Sequence, residues 1–337
     1  MADDYLWDPT AAPDPEIERL EALLRPAAYR ATPLRAAETP TRRRSIRIGA
    51  WAALAAATVV AAAGLSLAGR SRAAHLAPWA VAAAHGTPVV RNSAGALASG
   101  RLERGGVVET DARSSAVLAV GRIGRAELGP DSRLRLLDDA AAEHRLALVH
   151  GTMHASIDAP PRYFLVQTAS ALAVDLGCVY TLSADERGNG LLTVEQGEVE
   201  LQMGDVNVAV LAGNAASLRN GRGPGLPYPV SASDRLRRAV AAFDADPASD
   251  AAVGQVLAAA DAHSTITLWH LLRRASPAAR ERVYTRLASI APPPPTVTRE
   301  RVLQGESGAL QRWRTDLQSS WVVDPPWWRQ LWLAMRR

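Results

Sequence analysis

The sequence predicts an α+β chain of several domains: a single transmembrane helix, an all-β domain of sandwich or roll type, and a C-terminal helical bundle. Three observations predict it. Residues 48–68 form an uncharged apolar run. Residues 86–220 alternate apolar and polar side chains with period two, and Gly, Asn or Asp-Ser interrupt them about every 8–12 residues. From residue 233 the apolar spacing becomes helical. The chain then divides into a cytoplasmic segment (1–47), a membrane helix (48–68), a linker (69–85), the β domain (86–220), a second linker (221–232) and the helical domain (233–337).

The totals agree with this division. A chain of 337 residues accommodates about two or three domains. All 38 basic side chains are Arg, and the net charge is only +4. That is small for this length and argues against a direct nucleic-acid partner. A single cysteine excludes an internal disulfide framework and a Cys-based zinc site.

The segment before the apolar run opens with DYLWDPTAAPDPEIERLEALLRP. Asp14 is a helix cap and Pro15 suits the first helical position, with Glu16 and Glu18 in the first turn. Ile17, Leu20, Leu23 and Leu24 fall on one face, and Pro26 ends or kinks the helix. So short a helix is marginal alone in water, so it frays or docks on another protein. Tyr5, Leu6 and Trp7 add an aromatic anchor of the kind enriched at interfaces. Residues 31–44, with Pro33, Pro40 and many Arg, read as a linker.

The run IGAWAALAAATVVAAAGLSLA is about long enough to cross a bilayer, where a helix satisfies its own backbone. Its apolar weight comes from Ile48, Trp51, Leu54, Val59, Val60, Leu65 and Leu67. Arg42, Arg43, Arg44 and Arg47 precede it, and Arg70 and Arg72 follow, a bias that puts the N-terminus in the cytoplasm. The segment ahead of it is too long for the n-region of a cleaved signal peptide, so the run reads as an uncleaved anchor.

In the β region the order of short segments is informative. Gly106-Val-Val-Glu-Thr110 comes first, then the strand at 114–120, AELGPDSRLRL at 126–136 and LALVHGT at 146–152, which contains Gly151. FLVQT, ending at Thr168, is followed by LGCVY with Gly177, Cys178 and Tyr180. LTVEQGEV with Gly197 and LAG with Gly213 close the series. ERGNG at 186–190 reads as a hairpin turn, and the Gly of QGE and of MGD as tight turns. This order over about 130 residues, just after an expected membrane helix, resembles the FecR domain of FecR-type transmembrane anti-sigma regulators. The family pattern has Thr where Cys178 stands and an aromatic at Tyr180. The resemblance implies a periplasmic β domain that senses an envelope partner, and a bacterial inner-membrane protein of single-pass topology. It also implies a cytoplasmic segment that binds an extracytoplasmic-function sigma factor, for which Trp7, Ile17, Leu20, Leu23 and Leu24 are the contact residues. A second reading keeps the anchor but not the regulation: an envelope-binding protein that holds cell-wall material or a membrane partner.

No catalytic, cofactor or metal site is expected. Cys178 has apolar neighbours and only Asp175 as a close charge, and an acid raises a thiol pKa. His150 and His154 share a face if they lie on one strand, but Gly151 suggests a turn between them, and two histidines do not make a selective site. GRIGRAELG has the glycines of a loose dinucleotide pattern, but it lies between strands with no helix after it.

In the helical region Ser233–Asp246 and 250–263 read as Ala-rich helices. Ser276 caps a helix with Pro277 at its first position, and Thr298 and Ser307 are further candidate caps. Antiparallel pairs of these helices suggest a bundle of about four or five. Six of the nine tryptophans lie in this last quarter. DPPWWRQLWLAMRR places Trp328, Leu331 and Trp332 on one face, which either closes the bundle core or meets a partner or membrane surface.

Overall fold

The structure is a computed structural model and describes residues 79–93, 95–97, 100–140 and 143–321. Residues 1–47, the apolar run 48–68 and the Trp-rich segment 322–337 lie outside the described residues, and with them Trp7, Ile17, Leu20, Leu23, Leu24, Trp328, Leu331 and Trp332.

The strands build two layers. One holds, in spatial order, β4 (Gly100–Arg101), β1 (Ala80–His85), β6 (Ser115–Val120), β7 (Gly124–Leu128), the C-terminal half of β9 (Glu143–Ile157), β12 (Val179–Ala184), β13 (Gly190–Gln196) and β16 (Asn214–Arg219). The short β17 (Gly223–Pro224) and β18 (Tyr228–Pro229) finish its edge. The other holds β3 (Gly95–Leu97), β2 (Val89–Asn92), β5 (Val107–Glu109), β8 (Arg133–Ala140), the N-terminal half of β9, β10 (Phe164–Gln167), β11 (Leu172–Asp175), β14 (Glu198–Met203) and β15 (Val206–Leu211). Every pairing is antiparallel except β9 with β10. The residues at 80–85, read from sequence as linker, are strand β1, paired with β6.

Strand β9 belongs to both layers, and its side chains record the passage. His144, Leu146 and Leu148 are buried in the first half; Met153, Ala155 and Ile157 are buried in the second. The inward phase flips between residues 148 and 153. A strand that shifts by one residue turns its other face inward, so the flip is what a passage between facing layers requires. Between the layers lies one apolar core, which includes Leu118, Leu134, Leu146, Met153, Phe164, Tyr180, Leu192 and Val210.

Six helices follow: α1 (Asp234–Ala245), α2 (Asp250–Ala259), α3 (Thr265–Arg274), α4 (Pro277–Ile290), α5 (Arg299–Leu303) and α6 (Ser307–Trp321). Ser233, Ser249 and Ser276 each accept a hydrogen bond from the backbone N–H three residues on, and Pro277 occupies the first turn of α4. Thr298 makes no such cap, and Ser307 lies inside α6.

The expected fold class is corrected here on two points. The described chain is mostly β-sheet, and no helix among the described residues is long and apolar enough to cross a membrane. The C-terminal helices, moreover, are not a bundle of their own. Their apolar core takes in Ala209 and Leu211 of β15 and Leu226 beyond it. The cause is in the composition of β15, Val-Asn-Val-Ala-Val-Leu, which is apolar on both faces from Val208 onward. Val208 and Val210 complete the core between the layers, while Ala209 and Leu211 point outward and need a cover. The helices supply it as a third layer. Polar groups fix the contact: the buried carboxylate of Asp244 on α1 accepts from the Ser217 hydroxyl at 2.7 Å and the Leu226 N–H at 2.9 Å. Thr267 donates to the Pro227 carbonyl at 2.8 Å, and Arg274 donates to the Pro224 carbonyl at 3.1 Å while stacking 5.6 Å from the Phe243 ring centroid.

Candidate functional site

The residues singled out in sequence fall into two groups, those that turn the chain between layers and those that face the core. Gly106 lies between β4 and β5, Thr110 after β5, Gly177 between β11 and β12, Gly197 between β13 and β14, and Gly213 between β15 and β16. Each of these links joins a strand of one layer to a strand of the other. Gly151 marks the same passage inside β9. The tight turn at QGE is one of these crossings, with Gly197 carrying the chain from β13 to β14. MGD does close a hairpin, β14 to β15.

Thr110 shows how a crossing is held. Its hydroxyl donates to the Gly129 carbonyl at 2.7 Å and accepts the Ser132 N–H at 2.9 Å, tying the β5–β6 link to the β7–β8 link. Thr168 closes the β10–β11 hairpin by accepting the Ala171 N–H at 3.0 Å and donating to the Ala171 carbonyl at 3.0 Å.

Two crossings meet at Cys178. The thiol is 1% exposed and donates to the Glu198 carbonyl at 2.7 Å, so it joins the β11–β12 link to the β13–β14 link. Gly197 makes that approach possible: a Cβ there would stand 2.5 Å from the Gly177 carbonyl oxygen and 3.1 Å from the Cys178 sulfur. Burial first, then the charge of Asp175, push the thiol well above its usual range. A thiol held protonated in an apolar site is not a nucleophile. Asp175 is itself buried. Its Oδ1 accepts the Gly177 N–H at 2.5 Å, while Oδ2 and the Tyr180 hydroxyl are both buried without a hydrogen-bond partner. Desolvation raises the Asp175 carboxyl to about 7, against the pull of the Gly177 N–H.

The histidines do not converge. His150 pairs opposite Arg133 in one layer, whereas His154 stands opposite Thr181 in the other and bonds its hydroxyl at 3.1 Å. His144 packs edge-on to Trp79, with ring centroids 5.3 Å apart. Among the described residues no group of three or more His, Cys, Asp or Glu side chains has metal-binding geometry.

From Cys178 the structure leads outward to the helices. The carboxylate of Glu198, only 6% exposed, lies 3.5 Å from the Arg314 guanidinium on α6. Arg314 lines a cavity of about 440 Å³ between β14–β15 and helices α3, α4, α5 and α6. Its floor includes Trp269 and His270, and Arg273 and Arg280 share its wall. Burial, followed by the charges of Arg273, Arg314 and Arg274, lowers His270 to about 3, so this ring is neutral at ordinary pH. None of these cavity residues carries a recognisable motif. The segment Trp269-His-Leu-Leu-Arg-Arg274 shows only its apolar residues in sequence, because the pairing of α3 with β15 that gives His270 and Arg273 their setting is a long-range contact.

The chain matches no protein-family model and no curated protein. Among solved structures it is similar to a candidate anti-sigma factor from Parabacteroides distasonis ATCC 8503, in crystal structures at 1.65 and 2.50 Å resolution. Each alignment has 16% sequence identity and a TM-score of 0.33, and covers 36% of this chain and 59% of that one. The chain thus spans less than two thirds of its neighbour's length.

Proposed function

We propose that this chain is a regulatory protein of the anti-sigma type, in which residues 1–47 hold a sigma factor and the layered domain governs whether it is held. The observation that supports this is the ordered series of FecR-like segments. In the folded chain most of its small and glycine positions serve one purpose, carrying strands between two layers. An ordered series of such segments over about 130 residues is harder to reach by chance than any one motif. The contact residues are Trp7 and the stripe of Ile17, Leu20, Leu23 and Leu24. Control requires two states of the layered domain with different affinity for whatever signals to it. The link from Cys178 through Glu198 to Arg314 is a route along which the helical layer and the sheet crossings bear on one another. Capture of a sigma factor by the full chain tests the proposal. Retention of cell-wall fragments without any sigma factor would favour the envelope-binding reading.

A further inference from the structure

We infer that the cavity between β14–β15 and helices α3–α6 is a binding site for a small organic anion, one bearing a phosphate or carboxylate group. Three arginines line it, Arg273, Arg280 and Arg314. Arg280 gives its hydrogen bonds to the neutral carbonyls of Leu303 at 3.1 Å and Ala275 at 3.5 Å, and its Nε is buried without a partner. Arg273 is exposed overall, and partial burial followed by the like charge of Arg314 lowers its guanidinium from the usual range. Arg314 is balanced in part by Glu198 at 3.5 Å. Glu200 also lines the cavity, where it accepts from Asn207 and faces Arg162 at 3.7 Å. The wall therefore retains positive charge in planar forks, which match phosphate and carboxylate oxygens better than single ammonium groups do.

Trp269 and His270, 2% and 4% exposed, also line the cavity. Leu272, Val302 and Leu310 supply apolar wall, and the volume is in the range of small-molecule sites.

Titration calorimetry of the full-length chain tests the site with three probes that share one body: glucose 6-phosphate, gluconate and glucose. The site predicts saturable binding of glucose 6-phosphate or gluconate and none of glucose; which acid binds identifies the head group. Arg273→Gln should weaken that binding about ten-fold or more, the loss expected for a charge-assisted contact, without lowering the unfolding temperature, because Arg273 is exposed. Ser307→Trp, at the exposed start of α6, should block the mouth and abolish binding. Failure of both acids to bind below about 10 mM, glucose binding as well as they do, or binding that survives both substitutions would overturn the inference.

Discussion

At Gly151 a single residue decides which face of a strand looks inward. Its φ of +98° lies where L side chains are rarely found, and a Cβ would stand 2.1 Å from the Ser132 hydroxyl and 2.4 Å from the Ser132 Cα. Backbone cannot yield as a flexible side chain does. Gly151→Ala should therefore cost about 2–4 kcal/mol, read as a lower urea midpoint at unchanged slope. A midpoint equal to that of the parent protein would contradict this assignment. Asp175 makes a different kind of prediction. Its folded pKa of about 7 stands above the 3.8 usual for an aspartate carboxyl. Below about pH 4 the group is protonated in both states and adds no penalty. As pH rises from there to about 7, the unfolded chain loses its proton while the folded chain keeps it, so stability falls; above about 7 the loss is complete. Asp175→Asn keeps an acceptor for the Gly177 N–H and removes the ionisation. It should be more stable than the parent at pH 8 by about 1–3 kcal/mol, with a flatter profile between pH 5 and pH 8. Parallel profiles for the two proteins would refute the role given to Asp175.

At the scale of elements, β15 is where sheet and helices become one structure. Leu211 faces the helices and is fully buried there. Leu211→Ala should cost about 2–5 kcal/mol. Because the lost contact lies between the layers, it should lower the unfolding of strands and helices together, followed by far-UV circular dichroism and by the fluorescence of the buried Trp269 and Trp313. Two separated transitions would mean an independent helical domain after all. These elements differ in how far the sequence reveals them. The strands are legible because half-buried strands alternate, and the start of α4 is legible because Ser276 caps it by a local bond, whereas Thr298 makes no cap bond and Ser307 lies inside α6. The layer crossings are less so. QGE and MGD look alike, yet Gly197 crosses and Gly204 turns, because partners distant in sequence decide between the two. The third layer is hinted at only by β15, whose unbroken apolar run from Val208 to Leu211 leaves no polar face for solvent. The cavity residues are hidden for the same reason: Arg273, Arg280 and Arg314 stand on three different helices and have no spacing to read.

For the whole molecule, the described residues form two facing sheets with helices laid against one of them, and the proposed sigma-binding stripe lies in a separate stretch of chain ahead of them. The layered domain offers two features on which regulation can act, the crossings gathered at Cys178 and the cavity beside Arg314. The sequence of the stripe predicts a helix too short to be stable alone, so in the proposed role its binding and folding are one event. The most direct measurement of the central claim is co-purification, from the chain's own source cells, of sigma factors with the tagged full-length chain and with a Leu20→Asp, Leu23→Asp double variant. The account predicts a sigma factor at near-equal molar amount with the parent chain and its loss from the variant. Absence of any sigma factor from the parent chain, or its undiminished capture by the variant, would contradict it.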